Sequence, residues 1–165
     1  MEIYSENLLN EKYRVDVALF RRLAEEILTE IHGAEGEAGL AFVSDDRIRE
    51  LNRSYRNVDQ PTDVLSFCFA DEEYSGGVLG DVYISLETAE RQAAEREETL
   101  ARETLRLMIH GLLHLAGHTH DTEPDGGRMR ALEERLFERY RDRVAGSCRP
   151  AAAPGSGEAE GEHST

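Results

Sequence analysis

Cysteine is scarce in this chain. Among 165 residues only Cys68 and Cys148 occur, far apart and in no C-x-x-C pair. That excludes a disulfide-stapled scaffold and fits a reducing compartment, so a cytoplasmic location is expected. Long apolar runs are also missing: no stretch approaches about eighteen apolar residues, the minimum for a membrane span. The first residues, Met1 to Asn7, carry neither a basic start nor an extended apolar segment, so neither a signal peptide nor a membrane partner is expected. There is no internal repeat. Base is in deficit too, with a formal net charge of −15. Such a charge repels nucleic acid at long range, and any site for it has to be local.

What remains is enough chain for one domain with its own core. Residues 1–148 read as that single domain. From 149 to 165 the composition turns to Pro, Ala, Gly, Ser and Glu without periodicity, which reads as a disordered acidic tail. His163 in that tail stands alone.

Along the chain, residues 2–7 read as a first strand and Asn10 to Arg14 as a polar connection. Val15, Leu19, Leu23 and Ile27 repeat at helical spacing, predicting an amphipathic helix that ends at Gly33. Leu40 to Val43 reads as a short strand. Ser44, Asp45 and Asp46 offer caps for a helix through Ile48, Leu51 and Tyr55. Arg49, Arg53 and Arg56 fall at i, i+4 and i+7 on it, a basic edge that either binds an anion or is a solvated face. Pro61 closes this region. Val64 to Phe69 and Val78 to Ile84 read as two strands of a hairpin around an acidic turn at 71–77. Ser85 caps a Glu-rich outer helix running to Glu98. An apolar helix follows, and Pro124, Asp125 and Gly126 open the last one. The expected fold is α+β: a small mixed β-sheet of about four strands packed with about five helices, the histidine-bearing helix central.

The apolar helix, residues 105–120, holds four of the six histidines. His110 and His114 lie four apart and therefore on one helical face. Gly117 can take the left-handed conformation that ends a helix, letting the chain turn and bring His120 back towards the first two rings. The pattern H-x-x-x-H-x-x-G-x-x-H is a zinc-ligand spacing of the metzincin kind. Three neutral ligands would leave one position open, as catalytic zinc sites do. A metalloprotease needs a glutamate after the first histidine, and here Gly111 stands in its place, so the base is absent. His118 lies beyond the glycine turn. It either supports a ligand and its surroundings or sits at the surface; as a fourth ligand it would turn the site into a closed, structural one.

Three segments together resemble one family. His110 to His120 looks like the signature of the YbeY endoribonucleases, bacterial metal-dependent enzymes of ribosomal RNA maturation. Leu51-Asn52-Arg53-Ser54-Tyr55-Arg56 with Asp59 and Pro61-Thr62-Asp63-Val64-Leu65-Ser66-Phe67 is similar to their upstream motif, and Gly80-Asp81-Val82-Tyr83-Ile84-Ser85 to their strand motif. The order and spacing agree over roughly residues 1–140. The resemblance implies one Zn2+ per chain on His110, His114 and His120, and an essential arginine at Arg56. Arg49 and Arg53 become candidates for substrate binding. It also implies cleavage of single-stranded RNA, including the 3′ end of small-subunit ribosomal RNA, in ribosome quality control beside the small subunit, ribosomal protein and GTPase partners. Two positions depart from the family: His118-Thr119 replaces the usual Tyr-Asp, and Cys68 stands where proline is common. The first removes a carboxylate that would orient a ligand, a role Asp121 could take over.

The chemistry agrees with these residues. Zinc on three neutral imidazoles lowers the pKa of bound water to roughly 7, so hydroxide needs no glutamate base. Arg56 would bind the scissile phosphate. Either bound water or the RNA 2′-hydroxyl could attack. Two rivals stand beside this reading: a metallopeptidase-like zinc hydrolase borrowing Asp81 or another acid as base, and a non-enzymatic ribosome-assembly factor with structural zinc.

Overall fold

In the computed structural model, which describes residues 1–69, 76–119 and 125–152, alternation and helical spacing sort the chain onto a four-stranded mixed sheet. The strands are β1 (Glu2–Asn7), β3 (Glu37–Val43), β5 (Val78–Ser85) and β4 (Val64–Cys68), in that spatial order. β1 and β5 run parallel to β3, and β4 closes the sheet antiparallel to β5 as the expected hairpin. Five helices complete the α+β fold: α1 (Val17–Ile31), α2 (Asp45–Arg56), α3 (Leu86–Glu95), α4 (Leu100–Leu115) and α5 (Asp125–Tyr140). Most of the turn expected at 71–77, together with Pro124 and tail residues 153–165, lies outside the described residues.

Two differences from the sequence reading have one cause. Tyr13–Val15 is a strand, β2, rather than a polar connection and the start of the first helix, and it pairs with β6 (Cys148–Pro150). Order thus continues past residue 148, because two short segments at opposite ends of the sequence satisfy each other's backbone. Helix α1 accordingly begins later, capped by the Asp16 carboxylate, which accepts from the Leu19 N–H at 3.1 Å. Cys148 is buried there, with the Thr104 hydroxyl against its sulfur, and burial pushes its thiol up to about 11. Both cysteines are free thiols.

The sheet is covered unequally. On one face Leu40, Phe42, Val82 and Ile84 meet α1 and α4; the Phe20 and Phe42 rings stand edge-on at 5.6 Å, an arrangement worth about 0.5–1.5 kcal/mol beyond area burial. On the other, Ala41, Val43 and Leu65 receive Ile48 and Leu51 of α2. This is why residues 40–43 are apolar without alternation: their two faces are both buried. Helix α4 is the middle element, fully buried at Leu105, Met108 and Leu113. Its approach to the sheet is set by Gly111, where an added Cβ would lie 2.6 Å from Val82 Cγ1 and 3.1 Å from Ser66 Oγ.

Helix α2 is fixed at its start by Ser44, whose hydroxyl accepts from the Arg47 N–H, and by Asp45. The Asp45 carboxylate accepts from Ser85 Oγ at 2.6 Å, Thr88 Oγ1 at 2.6 Å and Arg91 Nη2 at 2.9 Å. Burial is the largest single influence on this carboxyl and pushes upward, but the three hydrogen bonds and the Arg91 charge together hold it below the usual aspartate range.

Two outcomes follow from this packing. A group whose folded pKa is depressed stabilises the fold above its unfolded pKa, near 4, and loses that contribution as pH falls through the folded value. Asp45→Asn should therefore lower stability by about 1–3 kcal/mol at pH 7 in urea titrations, and the gap from wild type should shrink towards pH 3. Gly111→Ala should also destabilise, by about 1–2 kcal/mol in the same assay. The stiff, fully buried Val82 must give way, and that cost exceeds the helix-propensity gain of about 1 kcal/mol.

Candidate metal centre and phosphate site

The last two turns of α4 carry the site. Thr99 caps the helix start, accepting from the Arg102 N–H at 3.1 Å. At the far end Gly117 has φ 93°, its N–H donating to His114 O at 3.0 Å while His118 N–H donates to Leu113 O at 3.0 Å. This pair of bonds is the glycine-terminated helix end that the spacing predicts.

His110 and His114, both half-buried, face each other with Nε2 atoms 3.2 Å apart. Two nitrogens on one tetrahedral zinc at about 2.0–2.1 Å stand about 3.3–3.4 Å apart, so the pair already has the bite of a metal chelate. His110 Nδ1 lies 2.5 Å from Glu133 Oε2 on α5. A carboxylate there accepts a hydrogen bond from Nδ1–H, holding the proton on that nitrogen, and leaves the His110 Nε2 lone pair turned towards His114. The chemistry of the donor set suits zinc: neutral imidazoles, one of them oriented by an acid.

Glu133 carries no signal of its own in the sequence, where it is one acid among several on the last helix. Its position follows from α5 running antiparallel to α4: Arg106 lies 4.0 Å over the Phe137 ring, and one turn further on His110 meets Glu133. The i, i+4 spacing of the two acceptors on α5 mirrors that on α4, a signal readable only once the two helices are known to be partners.

The third expected ligand, His120, and the carboxylate expected from Asp121 lie outside the described residues. His118 is half-buried just beyond Gly117, and no group of three potential ligands forms among the described residues. Asp81 is excluded as a base for this pair. On β5, Val82 faces Gly111 of α4, so its neighbour Asp81 points to the opposite face of the sheet, beside Gly39, where burial raises its carboxyl. The place where a protease carries its glutamate has no room for a side chain, as Gly111 shows.

Arg56 reaches the same region from the other side of the sheet. It ends α2, and Asn57 turns the chain out with φ 62°. Its Nη2 donates to Ser66 O at 3.0 Å, and its Cζ stands 5.9 Å from the Phe67 ring centre. Ser85 N–H bonding Asp63 O, and Phe69 N–H bonding Leu79 O, fix the alternation of β4. Ser66 O therefore points outwards from the sheet edge. Ser66 Oγ in turn donates to Gly111 O at 3.3 Å, next to His110. One strand residue thus links the arginine to the histidine helix.

The other motif residues position this link. Buried Asn52 donates to Gln60 O at 2.9 Å, and the Asp63 carboxylate accepts from Val64 N–H at 2.7 Å and Gln92 Nε2 at 3.2 Å. Arg49 is held in a two-pronged pair with Asp59, at 2.8 and 3.3 Å, and clamps the loop after α2. Arg53 is exposed and makes no ion pair among the described residues. Cys68 stands on the outward-facing register of β4, so its backbone N–H points away from β5.

The chain is similar to known proteins over most of its length. Residues 6–141 match the family model described as endoribonuclease YbeY. An endoribonuclease YbeY from Pelotomaculum thermopropionicum is 47% identical over 140 residues, covering 79% of this chain and 92% of the relative. One from Desulforamulus reducens is 42% identical over 144 residues, covering 81% and 94%. The solution structure of TM1509 from Thermotoga maritima is similar with a TM-score of 0.57 at 28% identity, covering 94% of this chain and 99% of that one. With a histidine pair, an edge-bound arginine and a matching sequence over most of its length, the chain belongs to the endoribonuclease YbeY family.

Proposed function

We propose that this protein is a zinc-dependent endoribonuclease that cleaves single-stranded RNA, with maturation of the 3′ end of small-subunit ribosomal RNA as its cellular task. The small ribosomal subunit, a ribosomal protein and a GTPase are its proposed partners, in the cytoplasm. The observation that carries the reading is the facing pair of Nε2 atoms, one of them oriented by Glu133. His110, His114 and His120 would hold one zinc ion, which when bound supplies Lewis-acid chemistry and acidified water.

This chain's own residues do the rest. Glu133 keeps the proton of His110 on Nδ1 and the ring in one orientation. Arg56 spends one N–H on Ser66 O, which anchors it at the sheet edge, and presents its remaining donors to phosphate oxygens. Charge developing on the phosphodiester in the transition state is met by a group already in place. A peptidase reading loses its base on both counts, at Gly111 and at Asp81.

The test combines metal content with cleavage of a single-stranded RNA. Wild-type protein should carry one zinc per chain and lose cleavage on chelation. Arg56→Ala should keep the zinc and lose at least about 100-fold in kcat/KM, the scale of one removed transition-state donor. His114→Ala should lose zinc and cleavage together. Cleavage at the wild-type rate by Arg56→Ala would remove the phosphate role. Separately, Glu133→Gln should weaken zinc affinity by about 10–100-fold in competition with a chromogenic chelator, with helix content by circular dichroism unchanged.

A further inference from the structure

Most large apolar side chains are buried, and Tyr55 is a clear exception at 70% exposed. A single exposed tyrosine is ordinary. Its neighbours make this one different. The ring meets Phe67 at 5.2 Å between centres and 62° between planes, and Phe67 in turn meets Tyr83 at 5.8 Å and 74°. Tyr55 is therefore propped on one side by an aromatic stair fixed to the sheet, with the rest of the ring open. Arg56 stands over the same Phe67 ring. The open ring and the guanidinium thus share one support, and exposed Arg53 lies one turn back on α2.

Tyr4 offers the contrast. It is 59% exposed, but its hydroxyl donates to Glu2 at 3.0 Å and the Glu37 carboxylate is close by. An acidic setting of that kind repels a polyanion. Among the described residues, only at Tyr55 does an open, braced ring occur beside cations, the combination that holds unpaired nucleotides: base on aromatic face, phosphate on arginine.

We propose that Tyr55 is a nucleobase-stacking platform for the unpaired nucleotide next to the phosphate held by Arg56. The inference rests on the RNA reading above and adds to it a subsite and its selectivity. A π-face accepts any base, so the subsite is indifferent to sequence; a base inside a duplex has its faces covered, so the subsite selects single strands.

The chain contains no tryptophan, so Tyr55→Trp introduces a single indole reporter at the subsite. Titration with single-stranded hexaadenylate or hexauridylate should quench its fluorescence, and a blunt RNA duplex should not. By anisotropy, Tyr55→Leu, which keeps an apolar contact to Phe67, should bind hexaadenylate roughly tenfold more weakly than wild type, and Tyr55→Phe within about twofold. The salt dependence should be unchanged in Tyr55→Leu, whereas Arg53→Gln should lower the slope by about one. Wild-type affinity in Tyr55→Leu with an unquenched indole would overturn the subsite and leave the RNA reading standing. Failure of the wild-type chain itself to bind either single-stranded RNA would overturn both.

Discussion

The site depends on how closely α4 lies on the sheet. With no side chain at Gly111, the helix comes down until Val82 and Ser66 touch its backbone, and every other distance follows from that approach. Ser66 can then bridge Gly111 O on one side and Arg56 on the other, which joins two helices on opposite faces of the sheet through one edge-strand residue. A larger residue at 111 would lift the helix and separate the arginine from the histidines. The constraint that brings them together also forbids a protease's glutamate.

The second constraint is the antiparallel contact of α5. Arg106 over Phe137 and His110 against Glu133 repeat the same i, i+4 match on both helices, so one packing register sets both contacts. Behind them Glu103 is fully buried beside Arg96, and burial raises its carboxyl while the two neighbouring arginines pull it down. The early part of α4 is therefore held by a charged core cluster and its later part by apolar packing. The end that carries the histidine pair can stay rigid with both cysteines as free thiols.

How much of this was readable beforehand depends on the range of the interaction. Local features were: the glycine turn at Gly117, the caps at Ser44 and Ser85, the helical face shared by His110 and His114, and the β4–β5 hairpin all arise within a few residues. Long-range ones were not. The β2–β6 pair joins Tyr13–Val15 to Cys148–Pro150, and nothing in either segment names the other. Glu133 looked like one acid among several because its meaning lies 23 residues away on another helix. Arg49 looked equivalent to Arg53 on the helical wheel, yet Asp59 turns it into a loop clamp. Spacing shows which side chains share a face; it does not show which counter-charge reaches them first.

That last point bears on how so acidic a protein could hold RNA. The formal charge of −15 gives no long-range help, and along α2 Arg47 is engaged by Glu50 and Arg49 by Asp59. Arg53 and Arg56 remain beside the site. Two arginines release few counterions, so electrostatic affinity would be small and fall only gently with salt. Affinity would have to come from contacts that do not depend on net charge: metal coordination, the hydrogen bonds of a pre-anchored Arg56 and stacking on exposed aromatic rings. Each of these acts only at short range and only on a strand whose phosphates and bases are both accessible. On the proposed reading, an acidic surface with two arginines beside the site would therefore discriminate against duplex and bulk RNA, and would favour a single strand already delivered to the site by a larger assembly.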